Sequence, residues 1–176
     1  MPLAFSTKAA TLLALKGVLK SAQISPLVVF TIDDWQADKK ACLNRIADSL
    51  GSGPWIVRSS CGLEDTREES NAGRFLSILN VSVKEMSHSI ERVIESYGAA
   101  SESDEVLIQP MLTDVVRSGV AFSHDPNTCA PYRVVNWSEG PDTSAVTSGI
   151  GGRVWQQAAL SPEPPPSSLL PIVELL

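Results

Sequence analysis

The 176-residue sequence predicts an α+β fold of two lobes, with mixed and antiparallel sheets and helices packed on them. Three observations carry that prediction. Segments with helical apolar stripes alternate with short apolar strands through the first part of the chain. A run of small polar residues at 99–104 then interrupts the pattern. Beyond it the grammar changes to strands joined by short turns, which pair antiparallel rather than through the crossover helices of a doubly wound sheet.

Each element has its own signal. A first helix is expected over 7–20, because Ala9, Leu12, Leu13 and Leu19 recur at helical spacing after a Ser/Thr cap. Residues 26–31 read as a buried strand. Asp33 or Asp34 can cap a second helix that carries Trp35, Cys42, Leu43, Ile46 and Leu50 on one face and stops at Gly51. A strand over 54–58, a loop over 59–74 and a strand over 75–81 follow. Ser82 and Glu85 have capping-box spacing, and Val83, Met86, Ile90, Val93, Ile94 and Tyr97 form the stripe of a helix ended by Gly98.

The second lobe is expected to begin at 99, with strands over 105–112, 117–123 and 131–137 and turns at Thr113-Asp114 and Asp125-Pro126-Asn127. The expected organisation is a first lobe over 1–98, a strand-rich second lobe over 99–161, and a tail over 162–176. In the tail, prolines at 162 and 164–166 suggest a stiff extended linker. The apolar helix that begins after it and stops at Leu176 suggests a fragment, or half of a domain completed by another segment.

Composition narrows the classes. A 43% hydrophobic and 19% charged chain has enough apolar surface for a folded core. The formal net charge of −6 and the scattered lysines and arginines argue against nucleic acid as a partner. No stretch reaches membrane-span length and no secretion signal opens the chain, so no membrane association and a cytoplasmic location are expected. The three cysteines, Cys42, Cys61 and Cys129, are widely spaced, which points to neither a disulfide framework nor a zinc site.

The chemistry-bearing residues cluster around one strand end. Trp55-Ile56-Val57 runs into Arg58, Ser59 and Ser60, and Ala72-Gly73 follows in a loop of small residues. A strand fixes the guanidinium, whose donors match phosphate oxygens, while a small-residue loop lets backbone N–H groups approach an anion. This combination suits a triphosphate.

Residues 57–81, VRSSCGLEDTREESNAGRFLSILNV, resemble the V-R-S-S-A-x-x-E-D segment of the phosphoenolpyruvate synthase and pyruvate phosphate dikinase family, in its N-terminal PEP/pyruvate-binding domain of ATP-grasp type. VLIQPM at 106–111 and SGVAFSHDP at 118–126 resemble two further motifs of that family in the same order, and STKAATL at 6–12 resembles its first glycine-rich segment. Here Ser6, Thr7 and Ala9 stand where the family has glycines, His124 where it often has arginine, and Cys129 where it often has glycine.

The resemblance implies the N-terminal portion of a nucleotide-binding domain, using ATP and Mg²⁺. It implies that Lys8 and Arg58 contact the phosphates as catalytic cations, with Ser59 beside them, and that Ser70, Asn71, Ala72 and Gly73 close over the phosphate chain. Gln109, Pro110, Met111 and Leu112 would form a strand edge facing adenine, with Ser118 nearby. The Mg²⁺ ligands are expected outside this chain. A phosphohistidine domain, or the C-terminal remainder of the same protein, is the expected partner, since neither His88 nor His124 lies in a carrier motif. The alternative is a non-catalytic nucleotide-binding or regulatory module that keeps the fold.

Overall fold

A computed structural model of the chain describes residues 7–61, 76–98, 101, 103–141 and 152–176. Two compact units divide it, Met1–Met111 and Leu112–Leu176. The boundary therefore falls thirteen residues later than the 98/99 expected from the polar run, because the strand that follows that run belongs to the first unit's sheet.

In the first unit, helix α1 (Lys8–Leu15) begins at Thr7, whose hydroxyl accepts from the Ala10 N–H. It is shorter than the helix expected over 7–20. Strand β1 (Val28–Thr31) leads directly into helix α2 (Ile32–Ala37), and helix α3 (Lys39–Leu50) follows. The single helix expected from Asp33 or Asp34 to Leu50 is thus two helices. Thr31 caps the first in a reciprocal box with Asp34, and Asp38 ends it and caps the second by accepting from the Ala41 N–H.

Strand β2 (Trp55–Ser60), strand β3 (Ser77–Val81), helix α4 (Met86–Glu95) and strand β4 (Glu105–Pro110) complete the unit. Ser82 and Glu85 do bond to each other, but in the turn before α4 rather than in its first helical turn. Val83 is 67% exposed and drops out of the expected stripe, whereas Met86, Ile90, Val93 and Tyr97 are buried.

The sheet order is β1-β4-β2-β3, every neighbouring pair antiparallel. The core lies on one face of it: Val28, Phe30, Trp55, Val57, Val106 and Ile108 cluster with Trp35, Ile46, Ile90 and Val93 from the helices. Fully burying an aliphatic side chain stabilises by roughly 1.5–3 kcal/mol, so this cluster dominates the unit's stability.

The second unit carries strands β5 (Arg117–Phe122), β6 (Tyr132–Glu139) and β7 (Arg153–Ala158), in that order and antiparallel. The sequence reading does not anticipate β7, although Gly151-Gly152 before it and Ser161-Pro162 after it are turn signals; its Arg-Val-Trp-Gln-Gln-Ala has too few apolar residues to stand out as a strand. Helix α5 (Leu170–Val173) closes the unit. The tail expected to be a linker is part of this core, since Leu169 and Val173 are buried with Val135, and Ala121, Trp137, Trp155 and Ile172 pack around them.

Candidate functional site

Strand alternation gives β2 two chemistries. Trp55, Val57 and Ser59 pair with Pro110, Ile108 and Val106 on the helix-covered face, while Ile56, Arg58 and Ser60 pair with Gln109, Leu107 and Glu105 on the other. This second face holds Arg58, Ser60, Glu105 and Gln109 together. Arg58 and Gln109 are diagonal neighbours there, since Arg58 stands opposite Leu107, two residues before Gln109.

Arg58 is half-buried, and its Nε is shielded from solvent with no hydrogen-bond partner among the described residues. A buried donor without an acceptor costs about 1–3 kcal/mol, more where the group is charged, so an orphaned guanidinium nitrogen is a place where an anion would be stabilised. Among the described residues, four other buried polar atoms also lack partners, namely the indole nitrogens of Trp35, Trp55 and Trp137 and Oδ1 of Asn136, but none of these carries a charge.

Lys8 is brought to the same end of the sheet. It is the first residue of α1, and both its chain neighbours are fixed there: the Thr7 hydroxyl donates to Glu105 Oε2 at 2.7 Å, and the Ala9 N–H donates to Ser60 Oγ at 2.9 Å. The structure therefore gathers Lys8 and Arg58, fifty residues apart in sequence, around the Ser60 end of β2. Ser59, which the sequence reading grouped with Arg58, lies on the opposite, core-facing side by register. Ser60 takes its place beside Arg58, and a period-two count from Arg58 would have found it.

Gln109 is 9% exposed, and its Nε2 donates to the Ser25 carbonyl at 3.4 Å. The strand that bears it was expected to be an edge. It is internal instead, flanked by β1 and β2, and the reason Pro110 is tolerated lies in the register. Pairing with β1 ends at Ile108, while the Met111 N–H donates to the Pro54 carbonyl on the β2 side. Donors alternate sides along a strand, so the one Pro110 lacks falls where the β1 ladder has already ended.

Met111 closes the first unit, whereas Leu112 and Ser118 belong to the second. Leu112 is 67% exposed, and Ser118 is half-buried in β5. Gly119 beside it is required by close packing: a Cβ there would stand 2.3 Å from the Asn136 carbonyl oxygen. Ser70, Asn71, Ala72 and Gly73, expected to close over the phosphates, lie outside the described residues.

The Asp-Pro turn after β5 is built by its carboxylate. Asp125 Oδ1 accepts from the N–H groups of Thr128 and Asn127 and from the Thr128 hydroxyl, and these bonds, led by that from the Thr128 backbone, hold its pKa below the usual carboxylate range. Cys129 sits at φ 55°, the left-handed region in which glycine is at ease. His124 and His88 are both exposed. Among the described residues, no group of three His, Cys, Asp or Glu stands together to hold a metal ion, and no helix is long and apolar enough to cross a membrane.

A family model described as pyruvate phosphate dikinase, AMP/ATP-binding domain, matches residues 19–154, which takes in Arg58, Gln109 and Ser118. No curated protein matches the chain.

Proposed function

The chain belongs to the pyruvate phosphate dikinase AMP/ATP-binding domain family, and from that premise we propose that it is the ATP-binding part of a phosphoenolpyruvate synthase-like phosphotransferase. Nucleotide binding follows from the family. The finer reading is that Arg58 and Lys8 hold the triphosphate, Gln109, Pro110 and Met111 flank the adenine, and the loop of Ser70, Asn71, Ala72 and Gly73 covers the phosphates.

The observation that carries it is the buried Arg58 Nε, without a partner among the described residues, on the same sheet face and at the same strand end as the residues that fix Lys8. A phosphate oxygen would satisfy that donor with a charge-assisted bond, and a second cation at Lys8 would offset charge on the same group. The contribution of these residues is positioning and charge stabilisation, the two terms that dominate phosphoryl transfer. A phosphoryl group of ATP would pass to a histidine elsewhere, and from there to pyruvate or another acceptor. Mg²⁺ would arrive with the nucleotide, and none of its ligands is assigned to the residues named.

Calorimetric titration of the chain with ATP and Mg²⁺ tests the reading. Saturable binding is expected. Arg58→Ala should weaken it by roughly 10- to 100-fold, as expected for losing one hydrogen-bonded charge, with the unfolding transition unchanged. Equal affinity in the variant would remove Arg58 from the site, and a folded chain that does not bind ATP would overturn the reading.

A further inference from the structure

The hydroxyl and amide groups around Lys8 converge on a single carboxylate oxygen. Glu105 Oε2 accepts from the Thr7 hydroxyl at 2.7 Å and from the Ser60 hydroxyl at 3.3 Å. Those two hydroxyls are in turn the acceptors for the first turn of α1: Ser60 Oγ receives the Ala9 N–H at 2.9 Å, and Thr7 Oγ1 receives the Ala10 N–H at 3.2 Å. Each hydroxyl can accept from an amide in this way because it has a carboxylate to donate to.

The base of this arrangement is rigid. Ser60 and Glu105 face each other across the β2–β4 ladder, and the Tyr97 hydroxyl ties their backbones by accepting from the Ser60 N–H at 3.1 Å and donating to the Glu105 carbonyl at 2.5 Å. Ser60 and Ala9 are both fully buried. The anionic side chain also lies against the N-terminal end of α1, where the helix dipole favours it. Two of the helix's orphan N–H groups, those of Ala9 and Ala10, are consumed by this network.

From this we propose that Glu105 is the positioning residue for Lys8: through Thr7 and Ser60 it clamps the first turn of α1 onto the ends of β2 and β4, and so holds the Lys8 ammonium where the triphosphate binds. The proposal rests on the nucleotide reading above. Glu105 itself does not touch phosphate, and its negative charge would repel it. Its action is exerted through Lys8.

The test compares Glu105→Ala, Glu105→Gln, Thr7→Val, Lys8→Ala and the Glu105→Ala/Lys8→Ala pair by ATP titration and by amide exchange in the full chain. Glu105→Ala and Thr7→Val are expected to accelerate exchange at Ala9 and Ala10 while leaving Ile108, in the middle of β4, unchanged. Both should weaken ATP binding about as much as Lys8→Ala does, roughly tenfold for a released charged contact. Glu105→Gln, which keeps one acceptor oxygen, should recover most of the affinity, and the pair should bind no more weakly than Lys8→Ala alone.

Additive losses in the pair, or uniform acceleration of exchange that includes Ile108, would make Glu105 a stability residue and overturn the proposal. So would wild-type affinity in Glu105→Ala when Lys8→Ala is impaired, a result that would leave the nucleotide reading intact. A folded wild type that fails to bind ATP would overturn both, and is told apart from that case by the wild-type titration alone. Thr7→Val breaks the clamp without altering the sheet, so the test survives a Glu105→Ala chain that does not fold.

Discussion

The two faces of the first unit's sheet are built from the same strands and serve opposite ends. On one face, Val57, Val106 and Ile108 are completely buried within the apolar core. On the other, one residue along in each strand, stand Arg58, Ser60, Glu105 and Gln109, with an orphaned guanidinium nitrogen and a hydrogen-bonded carboxylate among them. Placing polar groups on a strand whose neighbouring residues are fully packed gives them a fixed backbone without exposing the core. The lesson is that strand period, rather than distance along the chain, separates what stabilises this unit from what it offers a ligand.

The largest expected effect breaks the packed face alone. Ile108→Ala removes a fully buried side chain from the centre of the internal strand and should lower unfolding free energy by about 3 kcal/mol, read from denaturant melts. ATP affinity measured below the unfolding transition should stay within about twofold of wild type, because Ile108 and Arg58 lie on opposite faces and do not share partners. Arg58→Ala is the mirror experiment, with affinity lost and the melt unmoved. If Ile108→Ala cost as much affinity as Arg58→Ala, the division between the faces would be wrong.

How much of this was legible beforehand depends on whether the cause was local. The strand through Arg58, the strand through Gln109 and the α4 stripe were readable because alternation and helical period are properties of a few consecutive residues. The clamp on α1 was not, since Thr7 and Glu105 are 98 residues apart and only the sheet order brings them together. For the same reason an internal β4 was mistaken for an edge: a proline marks a missing donor, but only the register shows that the β1 ladder had ended by Ile108. Asp38 is hidden by neighbours that keep a helical pattern, and the break shows in its backbone, at φ −152°, and in the bond its carboxylate accepts from the Ala41 N–H. Ser59 was placed with Arg58 by adjacency, where period two favours Ser60.

Not every polar residue on the Arg58 face is free to serve a ligand, and Thr31 sharpens that distinction. Its register opposite Glu105 puts it on that face, yet its hydroxyl is spent accepting from the Asp34 N–H at 3.0 Å. Thr31→Ala should therefore cost about 1 kcal/mol of stability, the usual value of an N-cap, with ATP affinity unchanged. A loss of affinity without loss of stability would mean that Thr31 faces the nucleotide instead.

The smallest effect separates the two halves of that cap by pH. The Asp34 carboxylate accepts from the Thr31 N–H at 3.0 Å, and that bond, then the one with the Thr31 hydroxyl, holds its pKa below the usual carboxylate value. A folded-state pKa below the unfolded one means that the stabilisation is complete above the unfolded value and is lost as pH falls through the folded one. Asp34→Ala should thus be less stable than wild type at neutral pH, and the gap should close between about pH 5 and pH 2. Because Asp34 is exposed, the gap will be small, and salt should narrow it only slightly, since a hydrogen bond rather than a distant charge sets it. Denaturant melts of both proteins across that range check this. A gap that persists at pH 2 would trace the loss to helix propensity instead of the carboxylate, and would leave Thr31 alone as the cap that turns β1 into α2.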